Sequence, residues 1–270
     1  MPESMPSPPR AEDGFDFSDA AVLIAGGTSG VGLATAVAFA QTGCRRVMLL
    51  GRDEERGKRA VDHVLQAVPG AGTEFLAADA SDPVAAVDAA ADTHRRLGAI
   101  DVLVNSTVAA YQPTLLHDIP PGEIGEILVR QALAPLLMSR AVIPYMRRQE
   151  AGSIINIASD AAKVPTPGET CIGAAMAAIV TFSRTLALES KRYGVRVNAV
   201  TPSLVVGTGT YDRVMTEGFS KKIFDRIAAQ AHLGLTEPED LANLILFLAS
   251  PLSRLVTGQV LSVNGGISIA

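Results

Sequence analysis

The sequence is poor in aromatic residues and poorer in cysteine: 270 residues hold no tryptophan, four tyrosines, eight phenylalanines and two cysteines. Each shortage excludes something. Cys44 and Cys171 are too few for a disulfide framework and read as free thiols of a reducing, cytoplasmic setting. Lys and Arg total 23 against 28 Asp and Glu, a net charge of -5. The basic stripe with interleaved aromatics that nucleic acid requires is therefore missing. No apolar run reaches the roughly 18 residues of a membrane span; the best, LANLILFLA, falls well short, so no membrane partner is expected. The opening MPESMPSPPRAEDG is polar and Pro-rich and lacks the apolar core of a signal peptide. Residues 1–17 are read as a flexible tail. No His, Cys and carboxylate spacing suits a metal. The shortage of tyrosine bears most on function. Any chemistry that needs a phenol must draw on Tyr111, Tyr145, Tyr193 or Tyr211.

What is present is a globular composition, 48% hydrophobic and 19% charged. Short apolar runs, the kind that form strands buried on both faces, recur as AAVLIAGG, RRVMLLG (45–51), TEFLAAD (73–79), DVLVNS (101–106), GSIINIAS (152–159), VRVNAV (195–200) and GQVLSV (258–263). Stretches of helical period lie between them. Strand and helix in alternation predict an α/β fold, a doubly wound parallel sheet of about seven strands with helices on both faces. A single domain is expected over 18–270. Its alternation breaks at about 203–236, where Gly207, Gly209 and Gly218 mark a loop-and-helix lid over the C-terminal edge of the sheet.

The first strand runs directly into Gly26-Gly27-Thr28-Ser29-Gly30-Val31-Gly32 and then a helix. Glycine permits the positive φ of a tight strand-to-helix turn and a close approach of backbone to pyrophosphate. The helix N-terminus adds free N–H groups and a partial positive charge. Strand before and helix after are the context that gives the pattern meaning; a tight turn without ligand is the plain alternative.

The sequence resembles the short-chain dehydrogenase/reductase family, whose turn reads TGxxxGxG. The matches are this turn, Asp79 in AADAS, Asn105 in LVNS, GSIINIAS ending in Ser159, RYGVRVNAVTP through Pro202, and the closing TGQVLSVNGG. They cover about residues 18–268. The resemblance implies a Rossmann-type domain whose Gly26, Thr28, Ser29, Gly30, Val31 and Gly32 hold a dinucleotide. Asp79 would hold the adenine, Asn105 would steady the central strand beside the cofactor, and Ala80 and Pro202 would also belong to the cofactor site. After the second strand, an NAD site wants a carboxylate for the ribose 2′-hydroxyl. Here Gly51 takes that place and Arg52 follows, which favours NADP(H) over NAD(H). The plain alternative is that Arg52 starts a solvated charged face, Arg52 through Arg56.

In the family a Tyr supplies the proton, a Lys four residues on lowers its pKa, a Ser steadies the substrate oxygen, and an Asn on the preceding long helix anchors a water. Ser159 stands where the Ser stands. Counting on without a gap brings Ile172 to the Tyr position and Met176 to the Lys position, and Gln131 takes the place of Asn. A side chain with no titratable proton and one with no charge cannot run that step. Tyr111, in the loop after the fourth strand, is the speculative replacement acid. Tyr211, Glu169, Lys163, the His117-Asp118 pair and Cys171 are weaker candidates, each with an ordinary structural explanation, and Tyr145 and Tyr193 read as packing residues.

Three readings stay open. The first is a non-catalytic or regulatory subunit, a homo- or hetero-oligomer with a paralogue of the same family. The second is an active NADP(H)-dependent oxidoreductase of a small carbonyl or alcohol, with a displaced acid. The third is a non-redox enzyme on the same fold: a dehydratase, retro-aldolase or cyclase.

Overall fold

The computed structural model describes residues 15–216 and 218–270. Residues 1–14 of the expected tail lie outside the described residues. Phe17, also within that expected tail, is buried and meets Phe39 edge-to-face with ring centroids 4.8 Å apart. An aromatic with a pocket to fill is drawn into the core, so ordered packing begins ahead of the first strand.

Seven parallel strands form one sheet in the order β3-β2-β1-β4-β5-β6-β7. They are β1 (Ala21–Ala25), β2 (Arg46–Gly51), β3 (Thr73–Ala77), β4 (Val102–Asn105), β5 (Gly152–Ile157), β6 (Val195–Pro202) and β7 (Val260–Val263). The chain order reverses between β1 and β4, which opens a crevice at their C-terminal ends. Every residue of β1 and β4 is buried, as a strand covered on both faces requires.

The helices are α1 (Gly30–Gln41), α2 (Glu54–Ala67), α3 (Pro83–Leu97), α4 (Ile124–Gln149), α5 (Thr170–Ser190), α6 (Gly209–Val214), α7 (Phe219–Ala228) and α8 (Pro238–Ala249). One face of the sheet is covered by α3, α4 and α5 through Ala86, Ala90, Met138, Val142 and Ala187. The other is covered by α1, α2 and α8 through Ala36, Phe39, Val64, Leu241 and Ile245. The segments Pro121–Gln149 and Thr170–Tyr193 are long and apolar enough to cross a membrane by length and composition. A window average tolerates their few charges, whereas a count of unbroken apolar residues does not. In the fold both lie against the sheet.

The span 203–236 contains α6 and α7. Its small core of Leu204, Val214 and Phe224 holds the segment together, with Tyr211 packed against it. Gln112 Nε2, in the loop after β4, donates to Ser220 Oγ at 2.7 Å. The lid is thereby tied to the rim of the crevice.

Candidate functional site

Backbone closes the space at Gly26 and Gly32 of the glycine turn. A Cβ on Gly26, whose φ is +80°, would stand 2.5 Å from the Ser106 carbonyl oxygen, and one on Gly32 would run into the Gly26 carbonyl. Ser29 is the N-cap of α1 in extended conformation, yet its side chain makes no capping bond. The N–H groups of the first turn therefore keep no intrahelical acceptor. Beyond the turn, Asn105 Oδ1, Thr107 Oγ1 and Gln131 Oε1 are buried polar atoms without a hydrogen-bond partner among the described residues. A tight backbone cradle, free helix N–H groups and orphaned polar atoms at the crevice together fit a dinucleotide, which would lie from the turn toward Asn105.

Asn105 and Asn156 pin the strand ends. Asn105 Nδ2 donates to Asn156 Oδ1 at 2.8 Å and to Ser139 Oγ at 3.2 Å. Asp79 accepts from the Ser81 amide at 2.9 Å and the Ser81 hydroxyl at 2.6 Å. These bonds hold its carboxyl below the usual range and fix the turn that contains Ala80, which is buried. Pro202 closes β6, paired with Val263 of β7. Near Gly51, the Arg52 guanidinium lies 4.0 Å from Asp79. A Cβ on Gly51 would sit 3.0 Å from Thr28 Cγ2.

Two of the four residues at the proposed reaction centre, Ile172 and Met176, are apolar. Met176 is 7% exposed and belongs to a cluster with Ala132, Ala158, Ala175, Ile179 and Val180, against which Ile172 packs. Ser159 ends the segment after β5 and its hydroxyl accepts from the Ala161 amide at 3.2 Å. Gln131 Nε2 is held by the Ala109 carbonyl at 3.1 Å. Pro135 lies four residues further along α4 and has no N–H, so the Gln131 carbonyl loses its usual helical donor.

The Tyr111 hydroxyl donates to the Gly168 carbonyl at 3.1 Å. Tyr111, Gln112 and Gln131 line a cavity of about 340 Å³ with Ile119, Ile127 and Arg130. Burial, and next Cys171, push the Tyr111 phenol up. Burial also raises the Glu169 carboxyl, against a hydrogen bond from Thr166. Lys163 is turned elsewhere. Its ammonium donates to Ser262 Oγ and to the Ala270 carbonyl and lies 3.6 Å from Asp160. Asp160 in turn accepts from Asn264 and Ser268, so Lys163 fastens the C-terminal segment. Cys171 is a buried free thiol. His117 and Asp118 pair at 3.6 Å with both side chains exposed. Tyr145 stacks near His94 at 4.6 Å, and the Arg147 guanidinium lies over Tyr193 at 4.3 Å. Among the described residues, no group of three or more His, Cys, Asp or Glu could hold a metal ion.

The profile of a family described as enoyl-(acyl carrier protein) reductase matches residues 25–268. The chain is 32% identical over 249 residues to a 3-oxoacyl-[acyl-carrier-protein] reductase of Chlamydia muridarum, covering 92% of this chain and 97% of that protein. It is 31% identical over 252 residues to 2-(S)-hydroxypropyl-CoM dehydrogenase 3 of Xanthobacter autotrophicus, covering 92% and 96%. Among solved structures, a levodione reductase superposes with a TM-score of 0.87 at 27% identity, covering 93% of this chain and 98% of that one. A 7α-hydroxysteroid dehydrogenase complexed with NADH gives 0.86 at 25% identity, covering 94% and 96%.

Proposed function

The chain belongs to the short-chain dehydrogenase/reductase family, an oxidoreductase family whose fold implies NAD(P)(H) binding, and from that membership we propose that it binds NADP(H) but is a non-catalytic or regulatory subunit. Its partner would be a catalytically complete paralogue, in a cytoplasmic oligomer. One observation carries this reading: Ile172 and Met176 occupy the positions the resemblance gives to the proton donor and its cation, and both pack into an apolar cluster. The dinucleotide, when bound, supplies the hydride. The protein must then deliver a proton to the oxygen, and neither side chain can. The related proteins carry the names of reductases and dehydrogenases, and the reading rests on this pair alone. Gly51 and Arg52 support the choice of NADP(H), because a cation replaces the carboxylate that would receive a ribose 2′-hydroxyl. The buried free thiols of Cys44 and Cys171 support the compartment.

A second reading, an active enzyme with a displaced acid, is favoured by Glu169. It lies three residues before Ile172, and burial raises its carboxyl above the ordinary glutamate value, the direction a general acid needs. Tyr111 serves this reading less well. Its phenol is pushed up rather than down, and its proton is directed at Gly168.

The test is to purify the chain alone and with a complete paralogue, then measure NADP(H) binding and turnover. Binding without turnover alone, and altered turnover of the paralogue on mixing, is expected. NADPH-dependent turnover by the chain alone that Glu169→Gln abolishes would establish the second reading instead.

A further inference from the structure

Asp160 opens a short 3-10 turn, Asp160–Ala162, and Ser159 is the residue that caps it. An aspartate and a lysine there read as loop charges, yet the Asp160 side chain is only 7% exposed and that of Lys163 16%. Their further partners come from residues 262–270. Asp160 Oδ1 accepts from Ser262 Oγ at 3.1 Å, and Oδ2 accepts from Asn264 Nδ2 and, at 3.0 Å, from Ser268 Oγ. The Lys163 ammonium donates to Ser262 Oγ and, at 2.7 Å, to the Ala270 carbonyl. The same segment is bonded on its other side to the end of the lid. The Gly265 carbonyl accepts from the Leu233 amide at 3.1 Å, and the Val263 carbonyl accepts from the Thr236 hydroxyl at 3.3 Å. A Cβ on Gly265 would run into the Gly234 carbonyl oxygen, so backbone meets backbone there. Thr236 in turn pairs with Val205 across the base of the lid.

We propose that residues 262–270 are a strap that joins the lid to the turn at Ser159, with Asp160 as its anchor and lid opening as the motion it controls. A hydrogen bond to a charged group is among the stronger ones, and a buried carboxylate is costly to leave without partners. Asp160 collects three such bonds from the strap, and the Lys163 ammonium lies 3.6 Å away. At its front the lid has a neutral bond, Gln112 to Ser220; the charged anchor lies behind its base. Coupling of this kind is reciprocal. Whatever shifts Ser159, at the C-terminal end of β5, is felt at the lid, and movement of the lid bears on Ser159. No nucleotide is needed for this coupling, so the chain is tested without one and the outcome is independent of the NADP(H) reading.

The experiment is limited tryptic digestion of the full chain, with the first cuts identified by mass spectrometry, for wild type, Asp160→Asn, Lys163→Met and Ser268→Ala. Lys221, Lys222 and Arg226 of α7 report opening of the lid, and Arg184, within α5, reports unfolding of the core. Asp160→Asn is expected to speed cleavage in the lid by roughly tenfold or more, the scale of one charge-assisted hydrogen bond, with the rate at Arg184 unchanged. Lys163→Met should give the same pattern, and Ser268→Ala, which removes a single donor, a smaller rise of the same kind. Should Asp160→Asn fail to fold, the other two variants decide by the same cuts. Unchanged cleavage in the lid overturns the strap. A rise at Arg184 in step with the lid overturns it as well, because Asp160 would then serve the stability of the whole domain rather than the lid.

Discussion

Asn105 Nδ2 donates to Asn156 Oδ1 at 2.8 Å across the buried junction of β4 and β5. Asn156 Nδ2 donates onward to Ser183 Oγ at 2.9 Å, and Ser183 donates to the Ile179 carbonyl at 2.7 Å. The relay ends on α5, the helix that carries Ile172 and Met176. A chain of polar side chains thus runs from β4 and β5 to the helix on which Ile172 and Met176 lie.

Asn156→Ala breaks this relay at its middle: Asn105 Nδ2 loses an acceptor and Ser183 Oγ loses its donor. Orphaning buried polar groups costs about 1–3 kcal/mol each. Urea unfolding should show a loss of that order, with dinucleotide affinity falling as β4 and β5 lose their tie. An unchanged midpoint would mean the relay carries no stability.

Gly32→Ala places a methyl group against the Gly26 carbonyl. Overpacking of a tight site costs about 1–3 kcal/mol, and here the displaced atoms are the phosphate cradle itself. Calorimetry should detect no NADP(H) binding in this variant, and thermal melting should show a lowered midpoint. Normal binding would show that the turn does not hold the nucleotide.

Phe17→Ala removes a buried ring from its edge-to-face contact with Phe39. Losses of about 3–5 kcal/mol attend such truncations. A much smaller loss in chemical denaturation would return Phe17 to a dispensable tail.

Glu169 gives a pH dependence with a definite sign. Burial raises its folded pKa above the ordinary carboxylate value, so between the two values the native state binds more protons than the unfolded state. Stability from this group is then present below the unfolded pKa and falls as pH rises through the folded pKa. Glu169→Gln should remove that fall: the variant is expected to be more stable than wild type at neutral pH, with the gain disappearing below the normal glutamate range. Parallel stability curves for the two proteins across that range would refute it.

The seven strands were legible because each is an apolar run closed by small or polar residues, and the observed strands fall within the expected runs or extend them by a residue or two. The glycine turn between β1 and α1, set by short local spacing, was legible as well. What escaped was side-chain direction across long separations. Lys163 reads as a loop cation near Ser159, but its partners Ser262 and Ala270 lie about a hundred residues further on. Arg56 reads as helix surface until Ser29, 27 residues earlier, is seen to meet it. The proline effect at Gln131 was available from spacing alone, since Pro135 stands four residues later in a helix. Phe17 was hidden by its polar neighbours, because one buried ring sets no periodicity.

The central claim is that the fold and its nucleotide turn persist while the proton-delivering pair at 172 and 176 does not. Its most direct test is single-turnover oxidation of bound NADPH with a panel of small ketones and diketones, comparing wild type with the double variant Ile172→Tyr and Met176→Lys. The account predicts no oxidation above background in wild type and ketone-dependent oxidation in the double variant, at similar NADPH affinity. Rapid ketone-dependent oxidation by the wild-type chain alone would contradict it.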